Sequence, residues 1–101
     1  MTIRVMMYTT VEPGEVDAFR VAYLQVAETL RGTPGLLRDE LLLQKGTQRF
    51  CLQAEWSSLP EFLAWVEDPG HTDKTAPIVP YLERNFEREL YEVMETPYGT
   101  P

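Results

Sequence analysis

The sequence holds one cysteine, Cys51, one histidine, His71, and one asparagine, Asn85, in 101 residues. A single cysteine excludes an internal disulfide and a cysteine-rich metal site. A single histidine excludes a two-histidine metal centre within one chain. Basic residues are scarce: nine Lys and Arg stand against sixteen Asp and Glu, for a net charge of −7. The basic stripe by which nucleic-acid binders neutralise phosphates is therefore missing, and an anionic membrane surface would repel the chain. No apolar run approaches the length of a membrane span. The first residues run straight into Thr2-Ile3-Arg4-Val5, a strand pattern and not a signal peptide. The expectation is a cytoplasmic protein with no nucleic-acid and no membrane partner. Gly-rich phosphate loops and the Rossmann fingerprint are absent, and no nucleophile motif supports a Ser-His-Asp triad.

What is present is a folding domain. Hydrophobic residues make up 44% and aromatics 11%, which is enough for one core at this length. Residues 3–11 are β-rich, and Glu12-Pro13-Gly14 is a turn signal. Val16, Phe19, Tyr23, Val26 and Leu30 recur at steps of three and four, predicting an amphipathic helix over about 15–31. Gly32-Thr33-Pro34-Gly35 breaks it. Residues 36–44 and 49–56 read as strands joined by a hairpin-sized connection at 45–48. In the second of them Phe50, Leu52, Ala54 and Trp56 share a face opposite Arg49, Cys51, Gln53 and Glu55.

Ser58-Leu59-Pro60-Glu61 has the form of a capping box. It opens a helical stripe of Leu59, Phe62, Leu63 and Val66, with Trp65 at its edge, which Asp68-Pro69-Gly70 ends. Pro77 and Pro80 allow only broken helical turns over 71–84. Residues 85–95 alternate as a last strand, although Glu and Arg also suit a helix there. The domain is placed at 3–95, with an irregular tail at 96–101.

The order β-α-β-β-α-β is the split βαβ arrangement of α+β, ferredoxin-like folds, a four-stranded antiparallel sheet with helices on one face. Both sheet faces carry apolar residues. The first strand places Ile3, Val5 and Met7 on one side and Met6 and Tyr8 on the other. The second places Leu37, Leu41 and Leu43 opposite Leu36 and Leu42. Two helices cover one face only, so the other is expected to pack on a second copy, as a homodimer.

Pro13-Gly14-Glu15, Pro34-Gly35-Leu36, Glu55-Trp56-Ser57 and then Phe62, Trp65 and His71 follow one another in an order that resembles the antibiotic-biosynthesis-monooxygenase family, over about residues 3–94. The resemblance implies a dimeric α+β barrel with a pocket between sheet and helices in each protomer. It implies one of several activities: cofactor-independent oxygenation of aromatic polyketide intermediates, haem breakdown, or turnover of small signalling molecules. Related barrels are polyketide cyclases. Two departures stand out. Trp65 occupies a helix position where many relatives carry histidine, and His71 matches a later histidine position. The strand at 3–11 lacks the asparagine of haem-degrading members, which places haem degradation last, and the asparagine used by the cofactor-free oxygenases has no position assigned in this sequence either.

The candidate catalytic residues are His71, as a general acid or base at a helix boundary, and Trp56, as an indole wall and N–H donor. Candidate substrate contacts are Tyr8, Arg38, Glu40, Phe62, Trp65 and Tyr81, and Tyr23 is a further possible pocket residue. Each has a structural alternative: a helix cap for His71, core packing for the aromatics, and a salt bridge for Arg38 and Glu40. Cys51 reads as a small strand residue. The expected substrate is a small aromatic phenol or anthrone, oxygenated without cofactor. The alternatives are a polyketide cyclase and a non-enzymatic small-molecule-binding dimer.

Overall fold

In the computed structural model, which describes residues 1–82 and 87–98, the elements run β1 (Ile3–Thr10), a 3-10 turn (Pro13–Glu15), α1 (Val16–Leu30), β2 (Leu36–Leu43), β3 (Arg49–Trp56), α2 (Leu59–Glu67), α3 (His71–Thr75), α4 (Val79–Leu82) and β4 (Glu87–Glu92). The sheet is antiparallel throughout with strand order β2-β3-β1-β4. This is the ferredoxin-like order. Of the expected last strand, Asn85 and Phe86 lie outside the described residues, as do Glu83 and the tail's 99–101.

The helix stripe behaves as its spacing requires. Phe19, Ala22, Val26 and Leu30 of α1 are buried, with Val16 and Tyr23 packed beside them. α2 starts where the capping box predicts: the Ser58 hydroxyl accepts from the Glu61 N–H at 3.3 Å, and the Glu61 carboxylate accepts from the Ser57 and Ser58 hydroxyls. Those two donors, Ser57 first, hold the Glu61 carboxyl below the usual carboxylate range. Gly35, at φ +87°, brings the β2 entrance against this cap; a Cβ there would lie 2.6 Å from the Glu61 Cβ.

The sheet differs from the simple alternation in one place. Leu36 pairs with Trp56, and Arg38 with Glu55, so Leu37 is an extra residue, a β-bulge. Without it Arg38 would turn toward the helices. With it, Leu36, Asp39, Leu41 and Leu43 share the helix-side row set of Trp56, Ala54, Leu52 and Phe50, while Arg38, Glu40 and Leu42 face the other way. The expected pairing of Leu36 with Leu42 on one face is thereby corrected.

The core has two clusters. One holds Val11, Phe19, Val26, Leu30, Phe50 and Ile78; the other holds Ile3, Val5, Trp56 and Phe62. Leu36 and Trp65 pack against both. α1 and α2 scarcely touch, and α3 bridges them. Pro77 falls between α3 and α4, and Pro80 sits in the first turn of α4, where a missing N–H costs nothing. The Thr9 hydroxyl donates to the Tyr81 carbonyl at 2.7 Å, which ties α4 to the sheet. Among the described residues no helix is long and apolar enough to cross a membrane.

Candidate active site

The divergence of α1 and α2 leaves a cavity of about 220 Å³ between them and the sheet. Its floor is Val5, Met7, Leu52 and Ala54. Its walls are Val26 and Leu30 from α1 and Trp56, Phe62 and Trp65 from the other side, and α3 and α4 roof it with His71, Thr75, Ile78 and Leu82. The volume lies below the ~300–1,000 Å³ common for ligand pockets, so the occupant must be compact.

The aromatic wall is continuous. Trp56 is 1% exposed, with the Phe62 ring edge-on at 5.6 Å and the Trp65 ring at 5.3 Å. Trp65 in turn meets the His71 ring edge-on at 4.2 Å. Each of these last two rings buries one polar atom with no hydrogen-bond partner among the described residues: Trp65 Nε1, a donor, and His71 Nδ1. A buried polar atom without a partner costs about 1–3 kcal/mol. Both residues line the cavity, while these two atoms are themselves sealed from solvent.

His71 is held in place by backbone. Asp68 accepts from the Gly70 N–H through its side chain (2.6 Å) and from the His71 N–H through its carbonyl (2.9 Å). The structure thus makes His71 the first residue of α3, with Gly70 as its cap residue. Desolvation, and then the Arg88 guanidinium, push the imidazole pKa below its ordinary value; Asp68 pulls weakly the other way. The ring is therefore neutral at pH 7, as a base must be.

Of the sequence candidates, His71, Trp56, Phe62 and Trp65 meet in this cavity, and Tyr23 joins them. Tyr81 packs edge-on against Phe19 at 5.3 Å in the α1 core, outside the cavity lining. Tyr8, Arg38 and Glu40 are on the opposite sheet face: the Arg49 guanidinium lies over the Tyr8 ring at 4.2 Å, and Arg38 pairs with Glu40 at 3.5 Å. No substrate in the cavity touches these three.

Two charged cavity residues were not singled out from the sequence, Asp39 and Arg88. The signal existed in both cases. Asp39 shares strand parity with Leu41 and Leu43, a charge among leucines, and Arg88 shares parity with Leu90. Among the described residues no group of three or more His, Cys, Asp or Glu is placed to hold a metal ion.

Residues 2–74 match the sequence model described as antibiotic biosynthesis monooxygenase. The chain belongs to this family. It is 30% identical over 101 residues to the 42.8 kDa protein of the whiE locus of Streptomyces coelicolor, covering 98% of this chain and 25% of that one. It is 28% identical over 96 residues to protein SchA of Streptomyces halstedii, covering 93% and 25%. The chain thus spans about a quarter of the length of these curated relatives.

Among solved structures, a variant of SnoaB, a cofactor-independent oxygenase from Streptomyces nogalater, superposes with TM-score 0.79 at 18% identity, covering 95% of this chain and 96% of that one. A heme-degrading protein from Mycobacterium tuberculosis gives 0.74 at 21%, covering 95% and 98%. One family fold thus serves differently described proteins, and the choice among reactions rests on the residues of the cavity.

Proposed function

We propose that this family member is a cofactor-independent monooxygenase acting on a compact aromatic phenol or anthrone of polyketide type. The observation that carries the reading is an aromatic-walled cavity lined by His71, Trp65 and Arg88, in which His71 Nδ1 and Trp65 Nε1 have no hydrogen-bond partner among the described residues and come within reach of a ligand once their rings turn. A phenol or enolisable ketone placed there gives its proton to the neutral imidazole. The oxyanion left behind accepts from the indole N–H and is drawn to the Arg88 guanidinium on β4.

Ground-state O₂ is a triplet and reacts slowly with closed-shell molecules. An electron-rich anion avoids that barrier by giving up one electron, forming a substrate radical and superoxide, which combine into a C–O bond. Loss of water from the resulting hydroperoxide turns the CH₂ of an anthrone into C=O. One oxygen atom enters the product and the other leaves as water. The substrate supplies all four electrons, so the reaction as written calls on no metal or flavin. The protein's part is to position the ring, take the proton and stabilise the anion.

The test is oxygen uptake with 1,8-dihydroxyanthrone against a protein-free blank. The reading predicts protein-dependent uptake of one O₂ per quinone formed. Saturable quenching of tryptophan fluorescence without uptake would replace it with the cyclase or binding-protein alternative.

We infer further that the working unit is a homodimer closed through the outer sheet face into an α+β barrel. That face carries Met6, Tyr8, Leu42 and Tyr91, the last two 41% and 47% exposed. Two charge pairs meet within the face, Arg4 with Glu55 at 3.6 Å and Arg38 with Glu40. Apolar groups among paired charges suit a self-complementary contact.

A further inference from the structure

Asp39 lies where the helix-side face of its strand is otherwise leucine. The bulge at Leu37 sets its orientation, so that an acid and not Arg38 joins the helix-side row. There it accepts a hydrogen bond from the Tyr23 hydroxyl through Oδ1, and both residues line the cavity. Among the described residues its second oxygen has no hydrogen-bond partner, nor is it sealed from solvent as the orphan atoms of Trp65 and His71 are. The pair raises the Tyr23 phenol pKa well above its ordinary value, through burial first and the Asp39 hydrogen bond second. Tyr23 therefore stays a neutral donor and leaves the carboxylate as the acceptor.

Placement across the sheet gives the pair its meaning. Asp39, Ala54, Val5 and Leu90 form one cross-sheet row, and Leu41, Leu52, Met7 and Arg88 form the next. Asp39 is on the β2 edge and Arg88 on the β4 edge. Three strand spacings of ~4.8 Å put the two edges roughly 14 Å apart, with an apolar floor between. A ligand bridging them is acceptor-bound at one end and cation-bound at the other. The fused-ring phenol has this polarity when one hydroxyl is remote from the oxygen that becomes anionic.

We propose that Asp39, oriented by Tyr23, is the specificity-determining acceptor for a remote hydroxyl of the substrate, and thereby fixes which end of the aromatic ring system reaches His71. The proposal rests on the reading of the cavity as an aromatic-phenol site. A packing role alone does not account for the arrangement. An apolar pair of the same shape would fill the α1–β2 contact without placing a carboxylate on a cavity wall. A site built to hydrogen-bond a hydroxyl discriminates sharply against the analogue that lacks it.

The test is the affinity of 3-hydroxyanthrone, whose hydroxyl lies across its ring from the C9 oxygen, and of unsubstituted anthrone, measured under argon by quenching of Trp56 and Trp65 fluorescence. This readout is independent of turnover. The wild-type protein is expected to prefer 3-hydroxyanthrone by roughly tenfold or more. The double variant Tyr23→Phe/Asp39→Leu is expected to bind both alike while keeping its affinity for anthrone. The isosteric Asp39→Asn, which preserves the Tyr23 contact, is expected to keep only part of the preference, because a neutral acceptor is about half as strong. Equal wild-type affinities, or a preference that survives in both variants, would overturn the assignment and leave the aromatic-site reading standing. No binding of either compound would overturn both.

Discussion

At the residue scale the site depends on His71 and Trp65. The lowered pKa of His71, caused by desolvation and Arg88, fixes two signs. As the base, it is active when neutral, so turnover should fall as pH drops through its folded pKa, below about 6.5, and the acid limb should vanish with the residual rate of His71→Ala. For stability, the unfolded chain takes up this proton at higher pH than the folded one. The contribution is therefore constant above about 6.5 and is lost as pH falls through the folded value. His71→Phe should flatten that segment of the urea midpoint between pH 7.5 and 5. Trp65→Phe keeps a ring in the wall but removes the orphan donor, so kcat should fall on the order of 10²-fold, the effect of losing one oxyanion donor, with far-UV circular dichroism unchanged.

At the element scale, the site depends on where α2 begins and how β2 is registered. Ser58→Ala removes the cap of the helix that carries Phe62 and Trp65, and should cost about 1 kcal/mol in urea unfolding. Gly35→Ala meets both a positive φ and the Glu61 side chain, and should destabilise by more than about 1 kcal/mol by the same measurement. Most elements were legible in the sequence because periodicity and caps are local. β3 falls at 49–56 as expected, α2 starts after Ser58, and Pro77 falls in the break between α3 and α4. The aromatic wall was legible for the same reason, since Phe62 and Trp65 lie on a helical stripe. The bulge was not. No Gly or Pro marks Leu37, and the extra residue exists only because Leu36 pairs with Trp56 while Arg38 pairs with Glu55. That non-local register puts Leu36 on the same face as Asp39 and Leu41, with Arg38 and Glu40 on the other.

For the whole molecule, a two-sided apolar sheet was readable from alternation, and the structure keeps Met6, Tyr8 and Leu42 on the face away from the helices. On the dimer reading, light scattering at micromolar concentration should give twice the chain mass, and Leu42→Glu should shift it toward one chain by placing a charge in the contact. The cavity lies on the other face, between α1 and α2, so that variant should bind aromatic ligand with unchanged affinity when studied at concentrations where it still pairs. The central claim is that the cavity's own side chains suffice to oxygenate an electron-rich aromatic. The most direct measurement is mass spectrometry of the product formed from 1,8-dihydroxyanthrone under ¹⁸O₂ by protein dialysed against chelator. The account predicts a quinone carrying one ¹⁸O atom, formed well above the protein-free rate and lost with His71→Ala. A quinone formed no faster than in the blank, or a protein-dependent product that forms equally under argon and carries no label, would contradict it.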